Sequence, residues 1–144
     1  MSQRGWTLVE LTVVVAILAV LAVVAVPLVR TATLDFRLAV GARQLVSDVR
    51  TGRQQAMTRS ETWQVNLDLA TGSYQAVGPG GNQISGTLPQ GISFDAGGTD
   101  LVSFSIHPDG SFSAGGTIRL VTDRGQVAEL QVEAYTGYIG RKSD

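Results

Sequence analysis

Residues 6–29, WTLVELTVVVAILAVLAVVAVPLV, decide the architecture of this chain. Only Thr7, Glu10 and Thr12 interrupt the apolar run, and no charge follows Glu10 until Arg30. As a helix the stretch spans roughly 36 Å, enough to cross a hydrocarbon core of about 30 Å. A secretory signal fits less well, since its apolar region usually holds about 7–15 residues and a small-residue cleavage site follows it. Here the run is longer, and the processing signature, Arg4-Gly5-Trp6, precedes it. Pro27 lacks a backbone donor and predicts a bend near the far end. The flanking cations, Arg4 before and Arg30 and Arg37 after, orient the segment weakly.

Glu10 is the residue this segment has to explain. A carboxylate in lipid costs on the order of 2.5–3.5 kcal/mol by insertion scales, and such groups are usually paired. One reading is an interfacial residue near a helix end, where the cost is small. The other is a positive partner. If the chain is cut after Gly5, Trp6 carries a free ammonium about one helical turn from Glu10. In a filament the Glu10 of a neighbour can meet that ammonium instead, neutralising both charges in an apolar core.

The ordered series Arg4, Gly5, Trp6, Thr7, Leu8, Val9, Glu10, Leu11, with the long apolar run after it, resembles the processing and assembly segment of type IV pilins and type II secretion pseudopilins. Pro27 falls where many of these proteins carry a helix-kinking proline. Trp6 departs from the usual Phe but keeps the aromatic character. The resemblance implies cleavage after Gly5 by a prepilin peptidase, N-methylation of Trp6, and recognition of a neighbouring subunit's N-terminus by Glu10.

Composition agrees with one anchored unit. The chain has 144 residues, a formal net charge of -1 and no cysteine. The charge gives no global field toward nucleic acid or anionic lipid. The missing cysteines exclude a disulfide framework, a thiolate metal site and a lipidated cysteine.

After Arg30 the pattern turns amphipathic. Leu34, Leu38, Ala42, Leu45, Val49 and Ala56-Met57 recur at spacings of three and four, which predicts that the helix continues to about Arg59. Strand and turn signals follow: TWQVNLDL (62–69), the turn ATGS, YQAV (74–77), the loop GPGGNQ (78–83), GISF (91–94), LVSFSI (101–106), the turn HPDGS, GTIRLVT (116–122) and VAELQVEAY (127–135). Helix first and strands after predicts an α+β arrangement with antiparallel strands packed on the helix stripe. The expected divisions are a leader (1–5), a transmembrane helix (6–29), its amphipathic continuation (30–60) and a periplasmic β domain (61–144).

This second region resembles the GspH/FimT branch of the pilin-like proteins, in LVSDVRTGRQQAMTRSETWQVNLD (45–68) and in FSIHPDGSFSAGG (104–116) with the hairpin after it. Gly52 stands where the branch usually has Ala, a departure expected to loosen the helix locally. The resemblance implies a pilin-like fold, a long N-terminal helix on a β-sandwich-like domain of two antiparallel sheets. It implies a minor pseudopilin of the type II secretion pseudopilus, held in the bacterial inner membrane with its β domain in the periplasm before joining other major and minor pilin-like subunits. The alternative is a FimT-like minor type IV pilin that primes pilus assembly or takes up DNA.

Other candidate sites carry less. His107, the single histidine, precedes Pro108 and reads as a strand-end residue, not a member of a catalytic triad. Asp95, Asp100, Asp109 and Asp123 lack the dense spacing of a calcium loop and suit turns. No enzyme constellation, metal site or cofactor motif emerges. Arg37, Arg43, Arg50, Arg53 and Arg59 are expected to form a solvated helix face, with inter-subunit pairing as the alternative. Arg141 and Lys142 in the ending GYIGRKSD read as a frayed tail. Some FimT-like proteins hold DNA with a Gly-Arg-rich C-terminal segment, which makes Arg141 and Lys142 weak candidates for phosphate contact.

Overall fold

The computed structural model describes residues 7–142, and for residues 24–32 the backbone alone. The chain divides into two compact units, Met1–Thr33 and Leu34–Asp144. One helix, α1 (Leu8–Arg59, 52 residues), contributes to both. Pro27 falls among the residues whose side chains lie outside the description, and so does the bend expected there. Among the described residues no helix is long and apolar enough to cross a membrane. Of the expected span 6–29, side chains are described for residues 7–23, fewer than the about 20 apolar residues a crossing needs. Most of these are exposed, Val14 being half-buried.

Among the described residues the first unit is a helical stretch of mostly exposed side chains, and the second unit holds the folded domain. Eight strands form it: β1 (Trp63–Asp68), β2 (Ser73–Val77), β3 (Gln83–Thr87), β4 (Ile92–Phe94), β5 (Ser103–Ile106), β6 (Gly116–Thr122), β7 (Val127–Glu133) and β8 (Tyr138–Arg141). They make two four-stranded antiparallel sheets, ordered β3-β2-β1-β5 and β4-β6-β7-β8. Alternation along the strands sends one side of each sheet inward. Trp63, Val65 and Leu67 of β1 are buried, as are Ile118, Leu120 and Thr122 of β6 and Ala128, Leu130 and Val132 of β7.

The helix supplies the rest of the core. Leu38, Ala42, Leu45, Val49 and Ala56 join one apolar cluster with both sheets. Leu34 is half-buried, and Met57, expected on the stripe, is 47% exposed. Met57 follows Ala56 directly, about 100° further round the helix, so the two cannot share the inward face. Small residues let the helix approach closely: Gly52 lies over Ala76, Ile106 and Trp63, and Gly41 lies against Pro89. The helix ends where Ser60 adopts φ 53°, and the Glu61 N–H closes on the Ala56 carbonyl at 3.0 Å, the Schellman arrangement.

Two strands were absent from the sequence reading. The loop assigned to residues 78–83 is a short 3-10 turn (Pro79–Gly81) that leads into β3. The ending read as a frayed tail is β8. Both are edge strands, β3 paired to β2 and β8 to β7. The other elements fall within a few residues of the predicted positions, and the α+β class with antiparallel sheets holds.

Candidate functional site

The N-terminal site begins with the helix start. Leu8–Glu10 form the first turn, and the preceding Thr7 caps it. The Glu10 N–H donates to Thr7 Oγ1 at 3.2 Å, and the Leu11 N–H donates to the Thr7 carbonyl at 3.1 Å. Thr7-Leu8-Val9-Glu10 is therefore a capping-box sequence, with Thr at the N-cap and Glu at the third helical position. Sequence reasoning missed this, although the Thr-x-x-Glu spacing is its signal. The acidic side chain also lies at the positive end of the helix dipole. Glu10 is exposed, and its carboxylate meets no partner among the described residues. Gly5 and Trp6, the expected cleavage and methylation residues, lie outside the described residues.

The polar residues of the second half of α1 behave differently from the solvated face expected. Three arginines turn back onto backbone carbonyls of the β domain. Arg37 Nη1 donates to Gln90 O at 3.2 Å and Arg50 Nη2 to Ile139 O at 2.9 Å. Arg53 Nε reaches Gly110 O at 2.7 Å and its Nη2 reaches Thr136 O at 3.2 Å. Long side chains make this possible, because the apolar stem lies along the protein while the guanidinium travels to an acceptor off the helix stripe. Arg43 and Arg59 remain exposed, as expected.

Across the helix, Asp48 joins it to the first sheet. Tyr74 Oη donates to Asp48 Oδ2 at 2.6 Å, and Gln44 Nε2 donates to Asp48 Oδ1 at 3.0 Å. Burial, then the hydrogen bond to the carboxylate and its charge, push the Tyr74 phenol well above its ordinary value. The sequence gives Gln44 and Asp48 as neighbours one turn apart, but nothing local points to Tyr74.

The C-terminal cations are ordered. Arg141 closes β8 opposite Leu130 of β7. The Lys142 N–H donates to the Glu129 carbonyl at 2.9 Å, and its Nζ lies 3.6 Å from the Glu129 carboxylate, which also faces Arg119 at 3.6 Å. The frayed tail is corrected by this pairing: the backbone of residues 138–142 completes the ladder with β7. Lys142 is engaged with an acidic neighbour, and Arg141 is exposed. Glu10 and these cations belong to different units.

His107 and the aspartates have structural roles. The His107 N–H and carbonyl close the turn, bonding Ser111 O and Gly110 N–H at 2.9 Å each. Asp109 accepts from the Ser111 N–H and hydroxyl, and these bonds hold its carboxyl below the usual range. Asp95 accepts from the Gly97 N–H and faces Arg119 at 3.6 Å, and Asp100 accepts from the Thr117 N–H.

Comparison with known proteins agrees with this architecture. Residues 1–26 match the model of the prokaryotic N-terminal methylation motif, and residues 41–135 match that of the type II transport protein GspH. No curated protein matches the chain. Among solved structures, the minor pseudopilin EpsH from the type 2 secretion system of Vibrio cholerae is similar with a TM-score of 0.61 and 11% identity, over 74% of this chain and 97% of that one. At that identity the likeness concerns the fold: an N-terminal helix on antiparallel sheets. Because the GspH match takes in the second half of α1 and nearly all of the β domain, with a methylation motif ahead of it, the chain belongs to the GspH family of pilin-like minor pseudopilins.

Proposed function

We propose that this chain is a structural subunit of a type II secretion pseudopilus, supporting protein export across the outer membrane. The observation that carries the reading is the union, in one chain, of the methylation motif at residues 1–26 and the GspH region at 41–135. The GspH family is one of structural pseudopilins, and such subunits act by associating with other pilin-like subunits. In this reading residues 6–29 hold the precursor in the inner membrane and the β domain faces the periplasm. A prepilin peptidase cuts after Gly5 and Trp6 is N-methylated. Glu10 then meets the N-terminal ammonium of a neighbouring subunit. The exposed Glu10 carboxylate, without a partner among the described residues and on a capped first turn, supports that role.

The experiment is co-expression with a prepilin peptidase and the other pilin-like subunits of a type II secretion system. Subunits are then cross-linked in membranes. The expected product starts at N-methylated Trp6 by mass spectrometry and cross-links to its partners. Gly5→Ala should slow cleavage, and a bulkier residue should abolish it. Assembled material that still begins at Met1 or Ser2 would overturn the processing scheme. Association with type IV pilus subunits alone would replace the secretion reading with the rival minor pilin. That rival gains little from the C-terminus, where Lys142 is already paired with Glu129.

A further inference from the structure

A groove of about 570 Å³ opens beside α1 and β8. Arg43 and Arg50 line it from the helix and Arg141 from the strand, while Ala39, Val46 and Tyr138 add apolar surface. No aspartate or glutamate is among its described lining residues. Arg43 and Arg50 are seven positions apart on the helix, two turns, so they share a face at a spacing of about 10 Å. Arg50 gives one N–H to Ile139 O at 2.9 Å and keeps further donors on its guanidinium. Arg43 and Arg141 are exposed and have no partner among the described residues. Glu129 does not compensate them: its carboxylate faces Arg119 and Lys142, at 3.6 Å each. Three like charges around one groove repel each other, and a groove wall that excludes water strengthens the field on whatever enters.

We propose that this groove binds an acidic polypeptide segment, with Arg43, Arg50 and Arg141 receiving its carboxylates. Guanidinium groups suit carboxylates because their paired N–H donors match the two oxygens. A polypeptide fits better than a nucleic acid on two grounds. The apolar surface from Ala39, Val46 and Tyr138 suits small aliphatic side chains between the carboxylates. Three cations on a chain of net charge -1 give too few phosphate contacts to hold a polyanion at physiological salt. The inference does not rest on the pseudopilus reading, because the site is complete within one chain.

The test uses the full chain in a non-ionic detergent, with a fluorescein-labelled peptide of three glutamate-alanine repeats followed by fluorescence polarisation. The expected result is saturable binding that weakens with added salt. A double variant, Arg43→Gln with Arg141→Gln, should bind at least about tenfold more weakly, since two of three charged contacts are gone. Neither side chain bonds to the rest of the described fold, so an unchanged circular dichroism spectrum is expected. Arg59→Gln, exposed and outside the groove, should bind as the parent does. A glutamine-alanine peptide should not bind. No polarisation change up to about 1 mM peptide, an affinity beyond the usual range of specific interfaces, overturns the proposal. So does equal binding by the double variant. A single-stranded oligonucleotide that binds more tightly than the peptide, with the same dependence on Arg43 and Arg141, overturns it too and assigns the groove to nucleic acid.

Discussion

Gly41 and Gly52 lie on the same helix, and the same change, Gly to Ala, should move stability in opposite directions at the two. A Cβ at Gly52 would lie 3.5 Å from Ala76 Cβ, 3.5 Å from Ile106 Cδ1 and 3.9 Å from Trp63 Cε3, all ordinary contact distances. The methyl fits without displacement. Alanine favours a helix over glycine by about 0.8–1.0 kcal/mol, and burying one methyl adds up to about 0.8 kcal/mol. Gly52→Ala should therefore stabilise by about 1–2 kcal/mol, at least about 4 °C in Tm for a domain of this size. A Cβ at Gly41 would stand 2.9 Å from Pro89 Cδ and 3.5 Å from its Cγ. A proline ring cannot rotate away, so the loop must move. Overpacking of this kind costs about 1–3 kcal/mol, which exceeds the same propensity gain for a net loss of about 1 kcal/mol. Urea melts of residues 34–144, followed by circular dichroism, read both changes. A destabilised Gly52→Ala, or two variants shifted in the same direction, would refute the packing argument. The stabilising sign is the one that local loosening of the helix by Gly52 predicts.

Two further outcomes follow from the side chains that tie α1 to the sheets. The Tyr74 phenol is raised in the folded state, so its stabilisation is fully present below the ordinary value of about 10 and is lost as pH rises beyond it. Stability should fall above that pH in the parent. Tyr74→Phe should flatten that slope and cost about 1–3 kcal/mol at neutral pH, as for a hydrogen bond to a charged group, both read by urea melts across pH. Arg53→Ala should cost a similar about 1–3 kcal/mol, because the Gly110 and Thr136 carbonyls lose a charged donor together. Hydrogen exchange should then speed up around residues 107–111 and 134–137, and unchanged exchange there would refute the docking role.

The chain's legibility followed the range of its interactions. The helix stripe was readable because Leu38, Ala42, Leu45, Val49 and Ala56 carry the spacing themselves. Strands β1, β6 and β7 were readable for the same reason, each alternating within its own segment. β3 was not: QISGT has one large apolar residue, Ile84, and owes its strand conformation to pairing with β2. β8 was not either, since Gly140 and Arg141 look like a tail until β7 is placed beside them. Both strands lie on sheet edges, where one neighbour supplies all the ladder bonds. The arginine destinations needed the fold as well. Periodicity assigns a residue to a helix face, but a guanidinium lies several bonds from its Cα and can leave that face, as Arg50 and Arg53 do.

Glu10 now has two candidate jobs, and its chemistry separates them. The first is local. Thr7 caps the helix through the Glu10 N–H, and the glutamate stands at the third helical position, where a capping box would have its side chain return to the Thr7 N–H. The second is intermolecular, pairing with the ammonium of a neighbour's processed N-terminus. Capping boxes accept glutamine as readily as glutamate, because an amide oxygen also accepts a backbone N–H. An ammonium in an apolar core does not accept the exchange, since glutamine leaves its charge uncompensated at a cost of several kcal/mol. Glu10→Gln should therefore preserve helix content and cleavage after Gly5, yet lose association with partner subunits in membranes. Thr7→Val supplies the converse, removing the Oγ1 acceptor and keeping the carboxylate. It should weaken the first turn by about 1 kcal/mol and leave association largely intact. Cross-linking yields at matched expression read both variants. Wild-type association for Glu10→Gln, with loss for Thr7→Val, would assign Glu10 to the helix start alone and remove the charge pair from the account of assembly.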